Sequence, residues 1–257
     1  MFTQELLETI RAWPRWTRLA ALDVALQYRR SVLGPIWLSL NMLVMIVGMG
    51  LVYGVVFQAD LESYIPYVAS GLLAWGLLSA FFNDGAHTFT QNAHVIKNLR
   101  QPLLFFVCKS VTRQSIVAAH YFLVLVPIYI LFPHTVNANL MLAVPALCLY
   151  LINGFAIVVI VGMVCSRFRD MPNAINNVLQ VIFFLTPIFW LDTSLVTRRF
   201  IVDANPFYHF LTILRYPLIG QVPSLTNWLV VVCITFVLLI VAGLMFNRFR
   251  WQIVHTL

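Results

Sequence analysis

Six long stretches of this chain contain no Asp, Glu, Lys or Arg: 35–57, 64–82, 114–132, 140–164, 174–190 and 226–246. A helix rises about 1.5 Å per residue and the hydrocarbon core of a bilayer is about 30 Å thick, so a span needs roughly 20 apolar residues. Each stretch reaches or approaches that length; the third can borrow residues from Leu103 onward and the fifth from Asp170 onward. The pattern ahead of them is different. Leu6, Ile10, Trp13, Leu19, Leu22 and Leu26 recur at near-helical spacing, with Arg11, Arg15, Arg18 and Glu8 on the opposite side. This predicts a helix lying in the membrane interface, Trp13 and Trp16 at headgroup depth, broken or restarted at Pro14. A solvated cytoplasmic arm is the alternative, and it leaves both tryptophans without a partner. The predicted fold is all-α, a polytopic membrane protein of six transmembrane helices. It divides into an interface segment, 1–33, and a transmembrane domain, 34–257.

The two parts meet at Gln27–Trp37, Gln-Tyr-Arg-Arg-Ser-Val-Leu-Gly-Pro-Ile-Trp. Gly34-Pro35 offers a bend followed by a favourable first helical turn. Arg29 and Arg30 stand where the chain would enter the bilayer, and paired arginines there hold their side in the cytoplasm. The other basic residues repeat this bias: Lys97 and Arg100 after the second span, Arg167 and Arg169 after the fourth, Arg248 and Arg250 after the sixth. The loops 58–63 and 133–139 carry none. Of the sixteen Lys and Arg residues, only Arg198, Arg199 and Arg215 fall on the predicted outer side. Both termini are therefore expected in the cytoplasm.

Those three arginines belong to the long outer connection, 191–225. Within it Phe207–Ile219 is apolar and aromatic but too short to cross, opened by Asn205-Pro206 like a helix start and closed by Pro217 and Gly220. Short re-entrant helices dipping into the outer leaflet before the last span are expected; an amphipathic helix lying flat is the alternative.

Composition sharpens the class. Apolar residues make up 61% of the chain and charged ones 10%, against about 25% charged in a soluble domain. A net charge of +7 would suggest nucleic acid in a soluble protein, but the basic residues cluster at the ends of apolar runs, so no nucleic acid is expected and the partners include membrane lipids. Cys108, Cys148, Cys165 and Cys233 form no metal or redox spacing. The first thirty residues contain Glu5, Glu8 and Asp23 and no continuous apolar run, so no cleavable signal peptide is expected.

The chemistry expected of a self-powered transporter is missing. None of the six runs carries an acid or a cationic side chain at mid-membrane; His120 is the one imidazole within them and reads as a hydrogen-bonded packing residue. Neither Lys97 nor Lys109 follows a phosphate-binding glycine loop. Any uphill transport must draw energy from a partner. The candidate docking site is the inner loop 83–102, whose segment 91–101 can form a short helix presenting Val95, Ile96 and Leu99 to a groove, with Lys97 and Arg100 around them. A plain solvated loop is the alternative. Lys109 and Arg113, on one helix face at i, i+4, could pair with Asp84 or Asp170.

The Tyr28–Trp37 junction, the Lys97-Asn-Leu-Arg-Gln-Pro-Leu103 loop, the Asn205-Pro-Phe-Tyr-His-Phe block and the order of elements resemble a type-2 ABC exporter permease, in particular the branch exporting lipid-linked O antigen, capsule or teichoic acid. The resemblance covers essentially the whole chain. It implies a bacterial inner-membrane homodimer with two ABC nucleotide-binding subunits that bind ATP and Mg, no cofactor and no enzymatic activity in this chain, and a lipid-linked polysaccharide as cargo. It makes Val95, Ile96, Lys97, Asn98, Leu99, Arg100 and Gln101 an ATPase-coupling segment, and the outer helices, with Asn205, Pro206, Phe207, Tyr208, His209, Arg215 and Tyr216, part of an exit gate. Asn41 stands where relatives often have proline, which bears on the shape of the first span.

The residues suit that cargo. Sugar rings have apolar faces that aromatic side chains contact without slow-releasing bonds, and Trp37, Tyr53, Phe183, Phe184 and Phe189 are candidates for lining a channel. Phe57 and Trp190, at span ends, read as an aromatic belt, and Trp75, Phe81 and Phe82 as facing lipid or packing internally. Tyr28, Arg29 and Arg30 could draw a lipid-linked pyrophosphate to the inner leaflet or serve topology alone. Three rivals remain: a permease of the same architecture exporting a drug or lipid; a membrane-embedded lipid-linked transferase, which would need paired carboxylates that Asp84 and Asp170 do not supply in sequence; and a passive channel, for which no charged or carbonyl-rich filter motif is present.

Overall fold

A computed structural model of the chain describes residues 2–98, 101–191 and 199–256, with no strand among them. The interface segment forms α1 (Phe2–Arg11) and α2 (Trp13–Gln27). Pro14 lies in the first turn of α2, where its missing N–H breaks no helical bond. α2 buries Ala20 and Val24 and lies along α6 (Leu103–Phe122). Ile10, Trp13, Leu19, Leu22 and Leu26 stay exposed, an apolar outer face suited to lipid rather than water.

Gly34, with φ of +57°, turns the chain into α3 (Ile36–Val56). A tight corner at Gln58 leads to α4 (Leu61–Gln91), which Asp60 caps by accepting from the Glu62 and Ser63 amides at 3.4 and 3.3 Å. α4 has 31 residues, about 46 Å of helix, so it runs on beyond the bilayer thickness. The predicted loop 83–102 is thus shorter than its hydropathy suggests: Asn83–Gln91 is the last part of α4, and only α5 (Ala93–Asn98) and its flanks connect to α6.

The third span is one path in two helices, α6 and α7 (Leu125–Leu131). The break falls at Leu123, whose carbonyl loses its i+4 donor to Pro127 and accepts instead from the Val126 amide at 3.1 Å. His120 inside α6 donates from Nδ1 to the Ile116 carbonyl at 2.7 Å, while its own carbonyl accepts from Ser39 of α3 at 2.5 Å; it ties helices together. Two 3-10 turns, Pro133–Thr135 and Ala138–Leu142, lead into α8 (Ala143–Arg167).

α4 and α8 form the centre of the bundle. In their most apolar stretches 61% and 56% of residues are buried, against 17% for α3 and 22% for the α6–α7 path and for α12 (Leu225–Thr256). Small residues let the central pair approach: a Cβ on Gly85 would meet the Val158 backbone at 3.0 Å, and one on Gly162 would meet Phe89 at 3.0 Å and the Gly85 carbonyl at 3.1 Å. Without a hydrophobic drive between helices in lipid, such close packing supplies the attraction. Asn153 of α8 adds a polar tie, its amide donating to the Thr235 hydroxyl of α12 at 2.7 Å.

Among the described residues five helical paths are long and apolar enough to cross a membrane, and α9 (Met171–Leu185), which lies where the fifth of the six expected spans falls, is a shorter apolar helix outside those five. Its 15 residues reach only about 22 Å. The expected span 174–190 is cut at Thr186, which Pro187 forces into an extended conformation with ψ of 134°. The Thr186 hydroxyl donates back to the Ile182 carbonyl at 2.8 Å. Beyond it come α10 (Arg199–Asp203) and α11 (Pro206–Leu218).

α11 runs antiparallel to α4 inside the bundle. Phe207 near its start packs against Trp75 and Phe82 at centroid distances of 5.8 and 6.0 Å. Arg215, two turns on, reaches Gly71, and the Leu218 carbonyl accepts from Tyr129 at 3.0 Å. Its first turn therefore sits deep beside the middle of α4 and its last turn at the end of the bundle. That is the re-entrant course, not a helix lying flat.

Candidate functional site

At the end of the bundle where α1 meets α12, polar side chains of α2, α4 and α6 interlock. Arg113 forms an ion pair with Asp84, which also accepts from the Ser110 hydroxyl. Thr88 donates to Ser110 at 3.1 Å. Lys109 pairs with Asp23 of α2 at 2.8 Å and donates to the Asn92 side chain at 3.2 Å. Arg113 thus takes one of the two carboxylates expected for this helix face. Lys109 instead takes Asp23, because α2 lies along α6, and Asp170 at the start of α9 does not join. These groups line a cavity of about 460 Å³ whose wall includes Gln27 and Gln91.

Next to this cluster, α5 hangs from α4 by Asn92, which donates to the Thr88 carbonyl at 2.7 Å. Ile96 is only 8% exposed; it anchors α5 to its own chain and is not free to enter a partner's groove. Val95, Lys97 and Asn98 face outward, and Gln101 is half-buried. Leu99 and Arg100 lie outside the described residues.

Past Gln101 the chain enters α6 at Pro102, which has no side chain able to cap it. Glu5 of α1 performs that task from 98 residues away. One carboxylate oxygen accepts from the Leu103 and Leu104 amides at 2.6 and 3.4 Å; the other accepts from Arg250 of α12 at 3.3 Å. A carboxylate there satisfies orphan amides and meets the positive end of the helix dipole. One side chain so joins the first helix, the connection leaving α5 and the last helix. Arg29 and Arg30 are exposed at the junction into α3, with Tyr28 half-buried beside them.

At the far end, the chain after the Thr186 break is held by three side chains. The Arg215 guanidinium, 2% exposed, donates to the Pro187 and Ile188 carbonyls at 2.7 and 2.9 Å and lies 3.9 Å from the centre of the Tyr67 ring. Tyr64 donates to the Phe189 carbonyl, and Tyr67 to the Pro187 and Trp190 carbonyls at 3.2 and 3.1 Å. Gly71 leaves the room: a Cβ there would collide with the Arg215 guanidinium. Asn205 caps α11 through the Phe207 amide at 3.0 Å and donates to Thr186 at 2.9 Å. His209 bridges the Asp203 carbonyl and the Asn227 side chain, both at 2.8 Å, joining α10, α11 and α12. Pro206 occupies the first turn of α11; Tyr208 is buried and Tyr216 half-buried.

The candidate channel aromatics separate. Tyr53, Phe189, Phe183 and Trp75 form a continuous chain with successive centroid distances of 4.9, 5.8 and 5.7 Å. Phe184 and Trp37 point outward, while Phe189 is buried beneath the break. Trp75, read from sequence as facing lipid or packing internally, bridges Phe183 and Phe207.

Sequence reading missed Glu5, Tyr64 and Tyr67. The tyrosines, one helical turn apart at the start of α4, carry a readable signal once Pro187 is taken as a helix stop. Glu5 carries none, because its partners are distant backbone amides.

The model of the family described as ABC-2 type transporter matches residues 16–219. Two proteins of Klebsiella pneumoniae, each named O-antigen export system permease protein RfbA, are 22% and 20% identical to the chain over 242 and 243 residues, covering 91% of it and 92% of their own length. A protein of the same name from Myxococcus xanthus is 22% identical over 200 residues, 76% of each chain.

Proposed function

The chain belongs to the ABC-2 type transporter family, and from that premise we propose that it is the membrane permease of an ATP-driven exporter of lipid-linked polysaccharide, O antigen or a related glycan. The observation that carries the cargo is the alignment of nine-tenths of this chain with nine-tenths of two O-antigen export permeases. The protein is a transport component; the ATP and Mg sites belong to a separate subunit. Two copies of this chain pair with two such subunits in the bacterial inner membrane, with both termini in the cytoplasm. The contact of α1 with α12 and the basic residues near that end of the bundle support that orientation.

In this reading the ATP-binding subunit seats against α5 and residues 99–101. Val95, Lys97 and Asn98 give it an exposed surface, and Ile96 keeps that surface fixed to α4. Movement of α5 passes to α4 through Asn92 and to α6 through the Pro102 junction. At the other end, the tyrosine and arginine bonds around 187–190 hold the exit closed.

The test is reconstitution of the permease with its ATP-binding subunit in nanodiscs. ATP hydrolysis is expected to rise with a polyprenyl-linked glycan. A rise with hydrophobic amines or phospholipid instead would assign a drug or lipid cargo to the same architecture.

A further inference from the structure

α9 carries three different faces. Ile175, Leu179 and Ile182 turn toward the bundle, while Ala174, Val178, Val181 and Leu185 are exposed and apolar, as lipid requires. The third face is Asn173, Asn176, Asn177 and Gln180, at i, i+3, i+4 and i+7 on one side of the helix, all exposed. Among the described residues none of these four amides has a hydrogen-bond partner in the chain. An unsatisfied amide in hydrocarbon costs several kcal/mol, so this face does not lie against acyl chains.

Two of the amides open onto a cleft of about 370 Å³ between α3, α4 and α9. Asn176 and Gln180 line it from α9, and Ser79 and Asn83 from α4. Trp75 and Phe183 meet edge to face at 5.7 Å, giving it two apolar walls at an angle. The volume falls at the small end of the range for ligand pockets. Every polar group in it is neutral, and each amide offers both a donor and an acceptor.

We propose that this cleft is a binding subsite for a sugar ring of the translocated chain. Asn83, Asn176 and Gln180 exchange hydrogen bonds with ring hydroxyls, which donate and accept as amides do, and Trp75 and Phe183 cover the ring's C–H face. The lack of charge excludes a headgroup phosphate as the preferred ligand and keeps each contact weak enough to release. Asn173 and Asn177 extend the same wetted face toward the start of α9. The inference rests on the polysaccharide reading given above.

The experiment uses the permease with its ATP-binding subunit in nanodiscs. The probe is the polyprenyl-linked glycan purified from the cells that make the protein, and the variants are Asn176→Leu/Gln180→Leu and the polar exchange Asn176→Gln/Gln180→Asn. Loss of two ligand hydrogen bonds raises the glycan concentration for half-maximal ATPase stimulation about thirtyfold. The polar exchange is expected to recover most of that shift, with the mass of the assembly unchanged in both. Equal half-saturation for wild type and the leucine pair would overturn the subsite. Loss of the permease dimer in the leucine pair would overturn it too, making the amides contacts between subunits. Failure of the glycan to stimulate the wild type would remove the polysaccharide reading itself, and the subsite with it.

Discussion

Arg215 shows how a cation can reside in an apolar bundle: its charge is met by carbonyl dipoles and the face of an aromatic ring. Replacing it by Met leaves the Pro187 and Ile188 carbonyls without these donors, at about 1–3 kcal/mol each, partly offset because a desolvated charge is also removed. Arg215→Met is therefore expected to lower the thermal unfolding midpoint in detergent and to expose 186–191 to protease. Arg215→Lys, which keeps the charge but lacks the planar fork, should fall between it and the wild type. Gly71→Ala attacks the same bonds from the other side, and equal melting of this variant and wild type would show that the guanidinium has another place to go. The sequence marks Arg215 as an outlier by charge alone. It does not show that the partners are backbone atoms freed by a proline 28 residues earlier.

Among the elements, α1, α5 and the start of α6 gather at one end of the bundle. Val95→Asp should weaken pull-down of the ATP-binding subunit while the permease folds normally, since Val95 is exposed; Ile96→Ala should lower stability, since Ile96 is buried. Glu5→Ala removes a cap worth about 0.5–2 kcal/mol at the start of α6, just past the proposed coupling segment. Its expected signature is less glycan exported per ATP hydrolysed, with the assembly retained; an unchanged ratio would confine Glu5 to a local structural role. Spans were legible in the charge-free runs because lipid tolerates little else. Hydropathy misplaced the C-terminal end of α4, however, since Asn83–Gln91 is polar yet helical: Asp84 finds Arg113, and Thr88 finds Ser110, on a neighbouring helix. It also overextended α9, whose apolar residues continue to Trp190 although its helix stops at Thr186-Pro187. Hydropathy reports what surrounds a residue, and backbone chemistry decides where the helix ends.

For the whole molecule, the positive-inside reading makes a direct forecast. On a background with the four native cysteines replaced by Ser, Gln58→Cys and Asn139→Cys should react with a membrane-impermeant thiol reagent added to intact spheroplasts. Asn98→Cys and Gln252→Cys should react only after permeabilisation; the reverse pattern would invert the topology and move α5 away from the cytoplasm. The short α9 has a consequence of another kind. Where its helix stops, bare peptide groups stand at a depth at which lipid offers nothing to bind them, so Tyr64, Tyr67 and Arg215 act as caulking for the bilayer as well as fasteners for the chain. Take any of them away and solvent gains a foothold in that leaflet, which an electrical recording would register as a steady trickle of ions through a resting protein that has consumed no nucleotide.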